Sequence, residues 1–236
     1  MFQEDLLNIV KPANKKIIEI GCGKGENAFS LSAMSKEYIG IDISKDVIDL
    51  ANANIPVNLK DKLKFKIGDA SCLDFDSNYF DTAVLIHSFH EMPLQIQYPV
   101  IQEVRRVLKN EGTIIVIDPV EPPVLFQECF NFINREFKFF NHSLSVIHSN
   151  WIIEECLRKN LLKLDRKATI KVDYSFNNFN ELIQFLIDDY YGELTFTDEM
   201  INILKNGISE ILNIKDINED IKLCDENFVW ILKNNK

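Results

Sequence analysis

Glu19-Ile20-Gly21-Cys22-Gly23-Lys24-Gly25 is the stretch that decides the fold of this 236-residue chain. It closes a short apolar run, residues 16–20, that reads as a strand, and it leads into residues 26–34, which read as a helix. Glycines at alternate positions let the backbone turn sharply and let a ligand approach with no Cβ in its path. Backbone N–H groups at the start of the next helix favour a carboxylate or a phosphate. The stretch is a strand–elbow–helix junction with the capacity to hold a ligand.

Outward from this elbow, strands and helices alternate. Residues 38–42 read as a second strand, and Ser44 is placed to cap a helix over 45–54 by accepting a backbone N–H of its first turn. Residues 63–67 and 80–86 read as the third and fourth strands. Residues 94–108 carry a helical pattern with Ile101, Val104, Val107 and Leu108 on one face. Glu111-Gly112 then turns the chain into a fifth strand, 113–118, stopped by Pro119. Runs of Ile and Val suit a parallel sheet buried on both faces. Right-handed crossovers place helices on both sides of such a sheet. The expectation is an open, doubly wound α/β sheet with its ligand site at the carboxyl ends of the strands.

The second half has another character. Residues 151–160 and most of 180–222 read as helical, and 168–174 and 227–233 read as strands. Antiparallel pairing of 168–175 with 227–233 makes the segment between them an insertion on the sheet. The organisation expected is one domain over 1–236, with lid or substrate-selecting insertions at about 120–150 and 177–224. The first insertion holds Pro122-Pro123 and Phe126, Phe130, Phe132, Phe137, Phe139 and Phe140. Tyr190 and Tyr191 lie in the second. Packing of a lid, an apolar acceptor pocket and a homodimer face are all open to these aromatics. Between Asn177 and Cys224 ten acids face three bases, which suits a solvated helix face or an acidic lid.

Two acids complete a ligand site with the elbow. Asp42 ends the second strand, 17 residues after Gly25, where a carboxylate can accept both hydroxyls of a ribose. Gly68-Asp69-Ala70 follows the third strand, where a carboxylate and a backbone N–H can read the amino edge of an adenine. Three such elements at three adjacent strand ends describe one adenosine-shaped site. A dinucleotide GxGxxG would need glycine at position 26, which is Glu26. A Walker loop fails because Glu26-Asn27 follows Gly25.

With these residues in place, the sequence resembles the class I S-adenosylmethionine-dependent methyltransferases, in their small-molecule branch. The resemblance covers about residues 13–119 and, more loosely, the final strand. It is carried by 19–25, Gly40-Ile41-Asp42-Ile43-Ser44, Gly68-Asp69-Ala70, 80–86, and Glu103 to Gly112 ahead of strand five, where Asn110-Glu111 replaces the commoner Pro-Gly. It implies a Rossmann-like, mostly parallel seven-stranded sheet with an antiparallel final strand pair and helical insertions. It also implies S-adenosylmethionine as cofactor. Gly21, Gly23 and Gly25 would hold the methionine part, with Glu19 also among the cofactor-binding residues, Asp42 would bind the ribose, Ile43 would pack on the adenine, and Asp69 and Ala70 would read its edge.

His87-Ser88-Phe89-His90-Glu91-Met92-Pro93 follows strand four, at the acceptor side of such a site. Methyl transfer is an in-line displacement, so alignment and exclusion of water carry much of the catalysis. A base is needed only where the nucleophile arrives protonated. His87, His90 and Glu91 are the candidate catalytic residues: imidazole titrates near neutral pH, and a carboxylate can orient a histidine or bind a cation. The alternative is that these residues only open the next helix. No third ligand accompanies the two histidines, so no metal site is expected.

Composition bounds the partners. The chain is 46% hydrophobic and 26% charged, with a net charge of −10, which suits a folded globular protein and disfavours a broad basic face for nucleic acid. The Asx-Pro-Pro-aromatic box of adenine DNA methyltransferases is absent after strand four. Five scattered cysteines without CxxC spacing suit a reducing cytoplasm. The acidic start, residues 1–7, is unlike a signal peptide, and no apolar run has the length of a membrane span. The expected activity is methylation of a small-molecule acceptor. A catalytically inactive methyltransferase-like partner protein and a protein methyltransferase are the alternatives.

Overall fold

The computed structural model describes residues 2–120, 124–138, 142–190 and 195–236, with side chains for all of these except 2, 3, 142, 143, 189 and 190. Pro122-Pro123, Phe139, Phe140 and Tyr191 lie outside the described residues, as do the side chains of His142 and Tyr190.

Helix α1 (Phe2–Val10) precedes β1 (Lys16–Ile20), α2 (Glu26–Met34), β2 (Glu37–Asp42), α3 (Lys45–Ala53) and β3 (Leu63–Ile67). Strand β4 (Phe80–Ile86), α4 (Leu94–Val107) and β5 (Leu108–Pro119) follow. Then come α5 (Leu125–Phe137), α6 (His142–Arg158), β6 (Leu162–Phe176), α7 (Phe179–Phe185), α8 (Asp198–Leu212) and β7 (Ile221–Asn234). The seven strands form one sheet in the order β3-β2-β1-β4-β5-β7-β6. Strands β1 to β5 pair in parallel, with Ile18 beside Ile39 on one side and Ala83 on the other. The last pair is antiparallel, as expected: the Asn235 N–H after β7 donates to the Leu161 carbonyl before β6.

The alternation of β-strand side chains sorts the core into two layers. Ile18, Ile20, Ile39, Ile41, Ala83 and Leu85 pack under α4 and α6, through Val100, Ile101, Val104, Val107, Ile152 and Ile153. Ile17, Tyr38, Val84, Ile86, Ile115 and Ile117 pack under α1, α2 and α3, through Leu6, Val10, Ala28, Leu31, Ile48 and Ala51. A sheet so covered on both faces is the doubly wound arrangement.

The chain forms two compact units. The first comprises 1–118, 145–170 and 228–236 and contains both sheet layers. The second comprises 119–144 and 171–227. It has its own apolar cluster, including Phe126, Phe130, Ile133, Phe179, Leu182, Leu204 and Ile208. Asn178 caps α7 by accepting from Glu181 N–H at 3.0 Å, and Thr197 caps α8 by accepting from Met200 N–H at 3.3 Å.

Three local expectations are corrected. Ser44 occupies the N-cap of α3, but its side chain makes no capping bond. Its own N–H donates to Asp42 Oδ1 instead, at 3.0 Å. Strand β5 begins at Leu108 rather than after Glu111-Gly112, because those residues form an irregularity within the strand. Phe80 pairs with Leu108 and Thr82 with Thr113, and Glu111 has φ 58°. Helix α6 begins at His142, well before the helix expected over 151–160. Among the described residues, no helix is long and apolar enough to cross a membrane.

Candidate active site

The elbow is built from three left-handed glycines, with φ of 70° at Gly21, 51° at Gly23 and 82° at Gly25. Two are demanded by packing as well as by dihedral. A Cβ on Gly21 would stand 2.5 Å from Cβ of Ser88, and one on Gly25 would stand 2.4 Å from Cζ of the buried Phe65 ring. Gly23 differs: nothing lies within 4 Å of where its Cβ would be. Its conformation opens space beside the backbone, as a cradle for a ligand requires.

The elbow is anchored on the end of β2. Gly21 and Cys22 both donate their N–H groups to the Ile41 carbonyl, at 2.8 and 3.1 Å. Gly23 N–H donates to Asp42 Oδ2 at 2.9 Å. The Gly68 N–H donates to the Asp42 carbonyl, also at 2.9 Å, which brings the end of β3 alongside. Asp69 follows. Its Oδ1 accepts from the N–H and hydroxyl of Ser71 at 2.8 and 2.7 Å, and these bonds hold its carboxyl below the ordinary range. Ile43, next to Asp42, is 75% exposed and offers an apolar face that a flat ring can cover. Gly23, Asp42, Ile43, Asp69 and Ala70 therefore converge at three neighbouring strand ends.

Glu19 sits beneath the elbow, buried. Tyr38 Oη donates to its Oε2 at 2.9 Å and Asn27 Nδ2 to its Oε1 at 3.4 Å. Burial pushes its carboxyl up to about 7, against the opposing pull of these two donors. Glu19 therefore supports the elbow from within the core.

The turn after β4 adjoins the elbow through Ser88, whose hydroxyl donates to the Ile20 carbonyl at 2.7 Å. His87 adopts φ 49°, a left-handed conformation uncommon for a non-glycine residue, and its N–H donates to the Ile117 carbonyl. His90 is buried. Its Nδ1 lies 2.8 Å from Oδ1 of the buried Asp118, and its Nε2 lies 3.1 Å from Oε1 of Glu91. Burial alone would lower the pKa of this imidazole, but Asp118 and then Glu91 outweigh it and raise it to about 10. An imidazolium with both nitrogens facing carboxylates has no lone pair with which to take a proton. Both carboxylates therefore favour the protonated form of His90, and Glu91 is half exposed.

Asp118 escaped sequence reasoning. Its signal was present: an acid near the carboxyl end of an apolar strand, immediately before Pro119, as Asp42 stands at the end of β2. Ser88 and Tyr38 carried no such signal, because a strand residue and a turn serine declare a function only through their partners.

A family described as a methyltransferase domain matches residues 11–180. The chain is 30% identical over 138 residues to the uncharacterized methyltransferase YcgJ of Bacillus subtilis, covering 56% of this chain and 53% of that protein. It is 28% identical over 118 residues to a demethylmenaquinone methyltransferase of Lactococcus lactis, covering 48% and 46%. The chain thus spans about half the length of these curated relatives. A crystal structure of a protein from Bacillus halodurans, provisionally assigned as a methyltransferase, superposes with a TM-score of 0.70. It is 17% identical, and 99% of each chain is covered.

Proposed function

This chain belongs to the methyltransferase-domain family matched over residues 11–180, and from that premise we propose that it uses S-adenosylmethionine to methylate a small-molecule acceptor. The observation that carries the proposal is the bond between Gly23 and Asp42, beside which Gly23 leaves open space. The residues present fit the cofactor. The elbow would border its methionine end with Glu19 as support, and Asp42 would accept from the ribose hydroxyls. Ile43 would cover one face of the adenine, and Asp69 with Ala70 would meet its edge.

When bound, the sulfonium supplies an activated methyl group. The chain's own residues contribute position and shelter. The left-handed glycines hold the elbow N–H groups in one arrangement, so little ordering is left to binding. The turn over 87–91 lies against the elbow through Ser88 and forms the acceptor side. His87, His90 and Glu91 stand there as the candidate catalytic residues, with Asp118 and Glu91 favouring the protonated form of His90.

The insertions at about 120–150 and 177–224 are the parts left to select the acceptor, although Phe126, Phe130 and Phe179 are buried in the second unit's own core. A quinone-directed relative favours a small molecule over nucleic acid or protein. The cysteine thiols, three of them buried, suit a reducing cytoplasm. Calorimetry with S-adenosylhomocysteine tests the proposal. Binding below about 1 mM is expected, and none at that concentration overturns it, since this corresponds to only about 4 kcal/mol.

A further inference from the structure

We propose that Asp118 and His90 together aim the Glu91 carboxylate at the methyl-transfer point, where Glu91 receives the proton-bearing group of the acceptor, an amine or a hydroxyl. This inference rests on the methyltransferase reading above and names the chemical class its acceptor side would take.

The argument begins with hydrogen-bond inventory. Ionised carboxylates only accept, so a ring facing one carboxylate with each nitrogen is satisfied only when both nitrogens carry protons. His90 has that arrangement, with Asp118 at 2.8 Å and Glu91 at 3.1 Å. Asp118 does more than balance charge: its Oδ2 also accepts the His90 backbone N–H at 3.2 Å. Ring and backbone of His90 are thus held by one buried acid.

Helices α4 and α6 hold the same turn. Ser145 donates its hydroxyl to the His90 carbonyl. Gln97 Nε2 donates to Ser145 Oγ at 3.1 Å and to the Met92 carbonyl at 3.0 Å, and His148 Nδ1 lies 2.7 Å from Gln97 Oε1. Charged groups that face the His90 ring include Asp118 from β5 and Glu91 from its own turn. Ser145 from α6 and, through it, Gln97 from α4 are neutral. Of Asp118, His90 and Glu91, only Glu91 meets solvent.

Glu91 is connected to the elbow through Ser88. Its N–H donates to the Ser88 carbonyl at 3.2 Å, and Ser88 packs on Gly21. In the transfer, the acceptor's lone pair forms the bond to the methyl carbon. The carbon–sulfur bond breaks with its electron pair left on sulfur, and the acceptor's N–H or O–H proton passes to Glu91. Asp118 and His90 are positioning residues in this step, and Glu91 is the group that meets the acceptor.

Two measurements test it. In wild-type protein with labelled histidine, the His90 ring nitrogens should give imidazolium NMR shifts from about pH 6 to about pH 8.5, and in Asp118→Asn the ring should titrate near its ordinary value. A neutral His90 ring at pH 7 in wild type overturns the proposal, whether or not the variant folds. The second probe is sinefungin, which carries an amine where the sulfonium carries its methyl. By calorimetry, Glu91→Gln should lower sinefungin affinity by at least about tenfold while leaving S-adenosylhomocysteine affinity unchanged. An unchanged ratio of the two affinities overturns the role of Glu91. Absence of S-adenosylhomocysteine binding by wild type would instead overturn the methyltransferase reading.

Discussion

Gly23 donates its backbone N–H to Oδ2 of Asp42 across 2.9 Å, and Ser44 donates to Oδ1 of the same carboxylate across 3.0 Å. One acid thus ties the glycine elbow to the start of α3 while keeping a lone pair on each oxygen for a ligand. Asp42→Ala removes both the ribose acceptor and the tether, and Asp42→Asn removes the charge while keeping the shape. Both variants should weaken S-adenosylhomocysteine binding, by about 1–3 kcal/mol for the charge-assisted bonds lost. The alanine variant should lose more, because its elbow is also released. Equal affinity across wild type and both variants, read by calorimetry, would remove Asp42 from the site.

The three elbow glycines should respond differently to alanine. Gly25→Ala forces a Cβ to within 2.4 Å of the Phe65 ring, in the core, and should lower the thermal midpoint by several degrees. Gly23→Ala meets no atom and bears only the strain of a left-handed alanine, about 1–2 kcal/mol. Its methyl group occupies the space beside the elbow, so it should lose cofactor affinity out of proportion to its stability. Melting curves and calorimetry on the two variants separate these effects. A Gly23→Ala protein that binds as wild type does would mean that no ligand approaches there.

The parts of the molecule legible in the sequence were those governed by local rules. Strand β1 and helix α2 have the expected boundaries, because an apolar run, three glycines and a helical segment follow one another without ambiguity. Asp42 was legible as a strand-end acid. The His90 arrangement was not, because a histidine three residues after His87 looks the same whether it is a base or a trapped cation. Its state depends on Asp118, 28 residues away, which only the adjacency of β4 and β5 brings into reach. Strand β5 was misjudged at its start for a related reason. Glu111-Gly112 carries the residues of a turn, yet pairing with β4 keeps the chain in the sheet around them.

Gly207 faces a ring of the neighbouring helix in the second unit. A Cβ there would stand 1.9 Å from Cζ of Phe132, so α8 meets the ring carried by α5 through a glycine. Gly207→Ala should force the Phe132 ring aside, with an overpacking cost of about 1–3 kcal/mol. Amide exchange should accelerate over 125–137 and 198–212, while exchange in β1 and β4 stays as in wild type. Unchanged exchange in both helices would show that Phe132 has room to rotate away.

The buried Glu19 should leave a signature in the pH dependence of stability. Its folded pKa, raised by burial to about 7, lies above the unfolded value near 4.5, so the native state binds the extra proton between those limits. Stability therefore falls as pH rises through that window, by up to about 3 kcal/mol at about 1.4 kcal/mol per unit. Glu103 and Glu155, held low by hydrogen bonds from Arg106 and Arg158, have the opposite sign and act below about pH 4.5. His90, raised to about 10, contributes stability that is complete below about pH 6.5 and is lost above it. Between about pH 4.5 and pH 6.5, then, Glu19 contributes a downward slope. Glu19→Gln cannot ionise and offers one acceptor oxygen, to Tyr38 or to Asn27 but not to both, so it should be less stable throughout, yet its denaturation midpoint should decline less over that interval than that of wild type. Parallel curves for the two proteins would mean that Glu19 ionises at its ordinary value, and that the elbow stands on a charged residue rather than a neutral one.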